Sequence, residues 1–126
     1  MKRVFKTRTF SRSMKKTALT DAMLCVAIEE MDQGLVDASL GGNIVKKRVS
    51  LIGVGKRSGV RTIVATNMAT RWFFLYGFRK NERTSISQRE LKVLQHLAHD
   101  LLGYDDRQLR VALDTGEIEE ICHDKP

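Results

Sequence analysis

The clearest periodic pattern in the chain is a set of apolar residues at helical spacing that follows a capping signal. Ser87 and Glu90 have the spacing of a capping box, in which each side chain accepts a hydrogen bond from the other residue's backbone, and Gly103 ends the pattern. We therefore predict an amphipathic helix here, followed by a short helix capped by Asp105 or Asp106. The expected buried positions of the first helix are Leu91, Leu94, Leu97, Ala98, Leu101 and Leu102.

An earlier helix is predicted over about residues 20–33. Thr20 can cap it, Asp21 suits the positive end of the helix dipole, and Gly34 supplies the stop. A weaker pattern indicates a short helix or helical turn over residues 10–16.

Three runs rich in β-branched and aromatic residues, 44–49, 60–66 and 72–78, are typical of strands. Residues 4–7 fit a short first strand, and residues 117–122 fit either an edge strand or a tail. The connections between the three central runs are too short for parallel crossovers. We therefore predict an α+β fold: a small antiparallel sheet of about four strands, with N-terminal helices packed on one face and a C-terminal helical segment.

Length and composition narrow the class of protein. A chain of 126 residues with 42% hydrophobic residues favours one folded domain over residues 1–126. The longest apolar run is far shorter than the roughly 20 residues of a transmembrane helix, and no apolar segment follows the basic N-terminus as in a signal peptide. Cys25 and Cys122 lie almost a chain length apart and outside any CxxC pattern, so we expect reduced cysteines and a cytoplasmic protein.

The net charge of +7 is unevenly distributed along the chain. Residues 1–20 carry seven bases and no acid, and residues 21–40 carry five acids and no base. Residues 41–90 carry eleven bases against two acids, whereas residues 91–126 carry four bases against eight acids. The central excess of positive charge indicates a polyanion, most commonly a phosphate backbone, as the partner; a solvated basic face is the alternative.

Several motifs are rejected as sites. Residues 53–56 do not have Walker spacing, and Arg57 stands where Ser or Thr would bind magnesium. His96 and His99 lack a third ligand, and residues 122–124 are too close in sequence to converge as a triad, so no metal or cofactor is expected. An aromatic stripe is interpreted as core packing rather than as a base-stacking surface. The stripe consists of Trp72, Phe74, Tyr76 and Phe78.

The remaining candidate is a constellation of basic residues on or just beyond the three central strands. Alternation places Lys46 and Arg48 on one face of their strand and Lys47 on the other. In an antiparallel sheet, four residues of the constellation are expected to share one face and to form a cationic site that no helix covers. Those four are Lys46, Arg48, Arg61 and Lys80.

Three segments also resemble a known family. Lys46-Lys47-Arg48, Ser58-Gly59-Val60-Arg61 and the segment YGFRKNER at 76–83 are similar to the RelE/ParE toxin superfamily, specifically to its RelE-like toxins. The similarity covers roughly residues 4–103, so residues 104–126 are expected to extend beyond the family core. The resemblance implies a toxin of a type II toxin-antitoxin pair, commonly an endoribonuclease that cuts mRNA on the ribosome. It also implies a small antitoxin partner, often with a helix-turn-helix domain.

RNA cleavage without a metal needs a base for the 2′-OH, an acid for the leaving 5′-oxygen, and cations for the charge on phosphate. Neighbouring positive charges favour the neutral form of a lysine, so Lys46 or Lys47 is the expected base, while Arg48 and Arg61 would clamp phosphate. The resemblance adds Lys80 as a further phosphate contact, which completes the catalytic set. The expected RNA-binding residues are Lys47, Lys56, Arg57, Arg79 and Arg83.

One departure from the family concerns tyrosine. Relatives often place a catalytic tyrosine beyond the last central strand, where this chain has Thr-Ser-Ile-Ser at 84–87; its only tyrosines are Tyr76 and Tyr104. The general acid is therefore unassigned at this point. The rival hypotheses are a ParE-like inhibitor that binds DNA gyrase without catalysis and a simple nucleic-acid-binding module. The shared set of lysines and arginine favours the nuclease, while the missing tyrosine favours the rivals.

Overall fold

A six-stranded mixed sheet lies between two pairs of helices. The computed structural model describes residues 2–51 and 59–123. The strands are β1 (Arg3–Thr7), β2 (Ala38–Gly41), β3 (Ile44–Val49), β4 (Val60–Thr66), β5 (Arg71–Arg79) and β6 (Ile118–Ile121). The helices are α1 (Arg8–Ser13), α2 (Asp21–Asp32), α3 (Gln88–Leu102) and α4 (Asp106–Asp114). The predicted α+β class is confirmed, with six strands where about four were expected.

The strands lie in the order β2-β3-β4-β5-β1-β6. The pairs β2–β3, β3–β4 and β4–β5 are antiparallel, as their short connections require. β1 runs parallel to β5 and antiparallel to β6, so the sheet is mixed where an antiparallel sheet of about four strands was expected. β1 and β5 are separated by α1, α2 and three strands, and a connection of that length permits either direction.

Each face of the sheet has its own core. α1 and α2 cover one face, called the α2 face below, where Leu24 and Met31 pack against Val64 and Trp72. α3 and α4 cover the other, called the α3 face, with Phe73 in its core. The remaining buried residues of that core include Phe5, Ile44, Ile63, Leu75, Leu101 and Leu109. Both faces are therefore covered, which explains why nearly all of β5 is apolar.

The predicted helix signals lie where the helices begin. Thr20 accepts from the backbone N–H of Met23 at the start of α2, and Ser87 and Glu90 form the capping box of α3. Asp105, one of the two candidates, caps α4. No described helix is long and apolar enough to cross a bilayer.

The C-terminal segment contributes to the core. Leu109 of α4 and Ile118 of β6 are buried on the α3 face. β6 pairs with β1, and Arg3 binds Glu120 through two hydrogen bonds of 2.9 Å, which lower the pKa of Glu120. Residues 117–122, left open between strand and tail, thus contain the edge strand β6.

The two cysteines form a disulfide. Cys25 in α2 and Cys122 just after β6 are bonded, with their Cα atoms 5.5 Å apart. The expectation of reduced cysteines is therefore wrong. That expectation relied on the distance between the cysteines in sequence, but β6 pairs with β1 and brings Cys122 against the α2-face core.

Candidate active site

The basic segment of β3 is divided between the two faces of the sheet. Side chains alternate along a strand, and Ile44 lies in the α3-face core while Val49 lies in the α2-face core. Lys46 and Arg48 therefore lie on the α3 face, where both are partly exposed. Lys47 lies on the α2 face and is buried. Three consecutive cations thus have two different environments.

Two cross-strand rows organise the α3 face at this end of the sheet. Arg48 and Arg61 are direct partners across β3 and β4, which is an unfavourable arrangement for two like charges unless an anion joins them. Within residues 2–51 and 59–123, neither arginine nor Lys46 forms a salt bridge. The three residues therefore make a site suited to an anion. The rows across β3, β4 and β5 are Arg48–Arg61–Phe78 and Lys46–Ile63–Tyr76.

Gly59 allows β3 and β4 to approach each other beside the arginine pair. A Cβ atom at Gly59 would lie 2.8 Å from the carbonyl oxygen of Val49 and 3.7 Å from Cγ of Arg48. The backbone carbonyl belongs to a paired strand and cannot move away cheaply. The glycine of the SG-x-R segment is therefore needed for the strand pairing that sets Arg48 opposite Arg61.

Two predicted RNA-binding residues point away from this site. Lys47 Nζ donates to the carbonyl of Leu35 at 2.9 Å and lies 3.2 Å from Glu30 Oε1. Arg79, on the α2 face, donates to the carbonyl of Lys16 at 2.7 Å. The structure therefore does not bring Lys47 and Arg79 to the α3 face, because their charged groups bind α2 and the segments that follow α1 and α2.

Arg83 lies beside the site but is bound within the protein. Its guanidinium donates to both carboxylate oxygens of Glu90, at 2.9 and 2.5 Å, and to the carbonyl of Ser85 at 2.9 Å. It also lies 5.6 Å from the ring centroid of Phe78. Arg83, followed by the backbone N–H of Ser87, lowers the pKa of Glu90 to about 2. The geometry fits a positioning role better than the predicted contact with RNA.

The other predicted residues divide into two groups. Lys80 is exposed in the turn that follows β5. Lys56 and Arg57, predicted to bind RNA, lie outside the described residues. The structure thus brings together Lys46, Arg48 and Arg61, with Lys80 at the end of the adjacent strand.

Tyr76 is a further residue of the α3 face that sequence reasoning assigned elsewhere. Ile63 pairs with Tyr76, whereas the next residue, Val64, pairs with Phe74, which leaves Leu75 as the extra residue of a β-bulge. The bulge shifts the alternation: Phe74 belongs to the α2-face core, but Tyr76 packs against the α3-face core. Tyr76 is partly exposed there.

The described residues contain no group of three His, Cys, Asp or Glu side chains arranged to hold a metal ion. His96 and His99 are both exposed on α3.

The family of the chain follows from comparison with known proteins. A family model described as "RelE toxin of RelE / RelB toxin-antitoxin system" matches residues 2–121. The chain belongs to the RelE toxin family. It is thus a toxin of a toxin-antitoxin system, a class that pairs with an antitoxin, and the resemblance stated from the three segments is confirmed. The match also includes α4 and β6, within the segment expected to extend beyond the family core. No curated protein gives a significant match to the chain.

Proposed function

We propose that this RelE toxin is an endoribonuclease that cuts mRNA on translating ribosomes and thereby inhibits translation. The observation that carries the proposal is the opposed pair Arg48 and Arg61, with Lys46 on the same face and no salt bridge to any described residue. Planar guanidinium groups match phosphate oxygens, so a phosphate backbone such as that of RNA fits the site. The family supports the same class of activity. Such a toxin would act in the cytoplasm.

In the proposed complex, Arg48 and Arg61 hold the scissile phosphate. Two guanidinium groups on adjacent strands can each donate two hydrogen bonds, and they stabilise the negative charge that grows on phosphorus-bound oxygens in the transition state. Lys80, exposed at the end of β5, contacts a neighbouring phosphate. The loss of one such donor typically lowers kcat by about 10²–10³-fold.

Lys46 is the proposed general base. On the sheet it is a diagonal neighbour of Arg61, since its direct partner is Ile63, and such neighbours lie within reach of long side chains. Its amine takes the proton of the 2′-OH as the 2′-oxygen forms a bond to phosphorus and the bond to the 5′-oxygen breaks. The products are a 2′,3′-cyclic phosphate and a new 5′-OH end.

The proposed antitoxin is a small protein, often of the helix-turn-helix type in this family, that uses an acidic segment to cover the α3 face. Attraction between that segment and the cations of the face would weaken as salt screens it. We expect the affinity of toxin for antitoxin to fall between 50 mM and 500 mM salt. An affinity that is the same at both salt concentrations would contradict capture of this face. No membrane or small-molecule cofactor enters the proposal.

Induction in a bacterial host tests the nuclease proposal directly. The wild-type chain is expressed with and without the neighbouring reading frame, and mRNA 5′ ends are mapped within minutes. We expect new 5′-OH ends inside translated regions, suppressed by the neighbour and absent for Arg61→Ala. Growth arrest with intact mRNA would contradict the nuclease and indicate another target.

A further inference from the structure

The bulge at Leu75 brings a phenol to the cationic face. Without it, Tyr76 would follow Trp72 and Phe74 into the core beneath α1 and α2. With it, Tyr76 is partly exposed on the α3 face, in the same cross-strand row as Lys46. Bulges are known to re-aim side chains next to active sites.

Tyr76 and Lys46 lie on opposite sides of Arg61. Lys46 is on β3 and Tyr76 on β5, each a diagonal neighbour of Arg61 on the strand between them. Strands are spaced by about 4.8 Å, so their backbones are separated by about 10 Å, with the arginine between. A phosphate held by Arg61 would therefore have an amine on one side and a phenol on the other. An in-line displacement needs this arrangement, because the attacking and leaving oxygens lie on opposite sides of phosphorus.

We propose that Tyr76 is the general acid of the reaction, an assignment that rests on the proposed nuclease function. The Tyr76 hydroxyl gives its proton to the 5′-oxygen as the bond between that oxygen and phosphorus breaks. The leaving group departs as a neutral alcohol and Tyr76 is left as a phenolate. Water then returns a proton to the phenolate, so no other reactant is needed. The proposed general acid, which the sequence alone left unassigned, thus lies within β5.

Arg83 is the positioning residue for this phenol. Its guanidinium is fixed by two hydrogen bonds to Glu90 and lies over the ring of Phe78, next to Tyr76. Glu90 first, and the Tyr76 hydroxyl to a smaller extent, raise the pKa of Arg83, so the guanidinium stays charged. A fixed positive charge at this position attracts the negative charge that develops in the transition state as the 5′-oxygen leaves.

Single-turnover cleavage of a defined mRNA on purified ribosomes, by the full chain, tests the assignment. Tyr76→Phe keeps the ring and removes only the hydroxyl; Tyr104→Phe is the matched control, since its hydroxyl donates to Glu117 away from the site. We expect Tyr76→Phe to lower the cleavage rate by about 10²–10⁴-fold, the usual range for a general acid. Binding of an RNA with a 2′-deoxy cleavage position should change less than threefold, and Tyr104→Phe should cleave within about threefold of the wild type.

A second pair of variants examines Arg83 by rescue. Arg83→Met removes the charge beside the phenol, and Arg83→Lys keeps it. We expect the lysine variant to cleave at least tenfold faster than the methionine variant at equal RNA affinity and equal thermal stability. Equal rates for the two variants would overturn the positioning role.

The outcomes distinguish a wrong assignment of Tyr76 from a wrong proposal of nuclease activity. If Tyr76→Phe cleaves within threefold of the wild type while Arg61→Ala is inactive, the nuclease stands and Tyr76 is not its acid. If the wild type leaves ribosome-bound mRNA intact, the proposed function is overturned and the assignment of Tyr76 falls with it.

Discussion

Basic side chains on the two faces of the sheet differ in their partners. On the α2 face, Lys47 pairs with Glu30, and Arg79 binds the carbonyl of Lys16. On the α3 face, Lys46, Arg48 and Arg61 have no salt bridge to any residue in 2–51 or 59–123. Consecutive basic residues of one strand therefore do not form a single charged surface. Side-chain alternation gives them two environments: Lys47 binds α2 and the segment after it, whereas Lys46 and Arg48 have no salt bridge within the described residues.

The partners on the α2 face come from the acidic part of the sequence. α2 carries Asp21, Glu29 and Glu30, and it lies on the side of the sheet to which Lys2, Lys6 and Lys47 also extend. The helices on the other face leave the cationic end of β3 and β4 without such partners. The acids of α2 therefore balance the cations of the α2 face, whereas Arg48 and Arg61 have no salt-bridge partner among the described residues.

The largest expected effect is on catalysis by the α3 face. Arg61→Ala should lower mRNA cleavage by about 10²–10³-fold, because it removes a donor to the developing phosphate charge. Arg79→Ala, one register position away on the opposite face, should cleave within about threefold of the wild type. Measured cleavage rates on purified ribosomes compare the two variants. Equal losses of cleavage rate in the two variants would contradict the assignment of catalysis to the α3 face alone.

The disulfide of the α2 side should affect stability and leave cleavage unchanged. Cys25→Ser removes a crosslink that closes a sequence separation of 97 residues, so unfolding should become easier by about 2–4 kcal/mol. Urea unfolding with and without reductant measures this loss, and Cys25→Ser itself should not respond to reductant. Cleavage should be the same before and after reduction, because the crosslink joins α2 to the segment after β6 and lies away from the α3 face. Loss of cleavage on reduction would show that the crosslink shapes the site.

Lys47 should behave as a structural residue. Lys47→Met keeps the buried stem but leaves the carbonyl of Leu35 without its donor, at a cost of about 1–3 kcal/mol in the free energy of unfolding. Urea unfolding gives the value, with Lys46→Met as the control that should change stability by less than about 0.5 kcal/mol. If Lys46→Met lowered the free energy of unfolding as much as Lys47→Met, the lysine of the α3 face would also stabilise the fold.

The smallest expected effect is a pH dependence of the stability that the Arg83–Glu90 pair contributes beside the site. The folded pKa of Glu90 is about 2, below its unfolded value, so the Arg83–Glu90 pair stabilises fully above about pH 4.5 and less as pH falls towards 2. The stability difference between the wild type and Glu90→Gln should therefore shrink over that window. Unfolding at pH 7, 4 and 3 measures it. A difference that is constant down to pH 3 would contradict the pairing.

Local features of the fold could be predicted from the sequence. The bounds of β3 and β4 are those of the β-branched runs, and the capping residues Thr20 and Ser87 mark the starts of α2 and α3. These signals depend only on residues a few positions apart. The division of Lys46, Lys47 and Arg48 between faces also follows from alternation within one strand.

Features that depend on distant pairing could not be predicted. The parallel pairing of β1 with β5 and the disulfide between Cys25 and Cys122 depend on how separate segments meet. The bulge at Leu75 breaks the alternation on which the position of Tyr76 was judged. Gly77 was a usable hint, since a glycine inside a strand often accompanies a bulge.

Lys46 and Lys47 allow the most direct comparison of the two faces, because they are adjacent in sequence and lie on opposite faces. The decisive measurement is the rate of mRNA cleavage on purified ribosomes by Lys46→Ala and by Lys47→Ala, each checked for folding. We expect Lys46→Ala to lose at least 100-fold in rate, while Lys47→Ala remains within about threefold of the wild type. A Lys47→Ala protein that is folded and inactive, beside an active Lys46→Ala, would contradict this expectation.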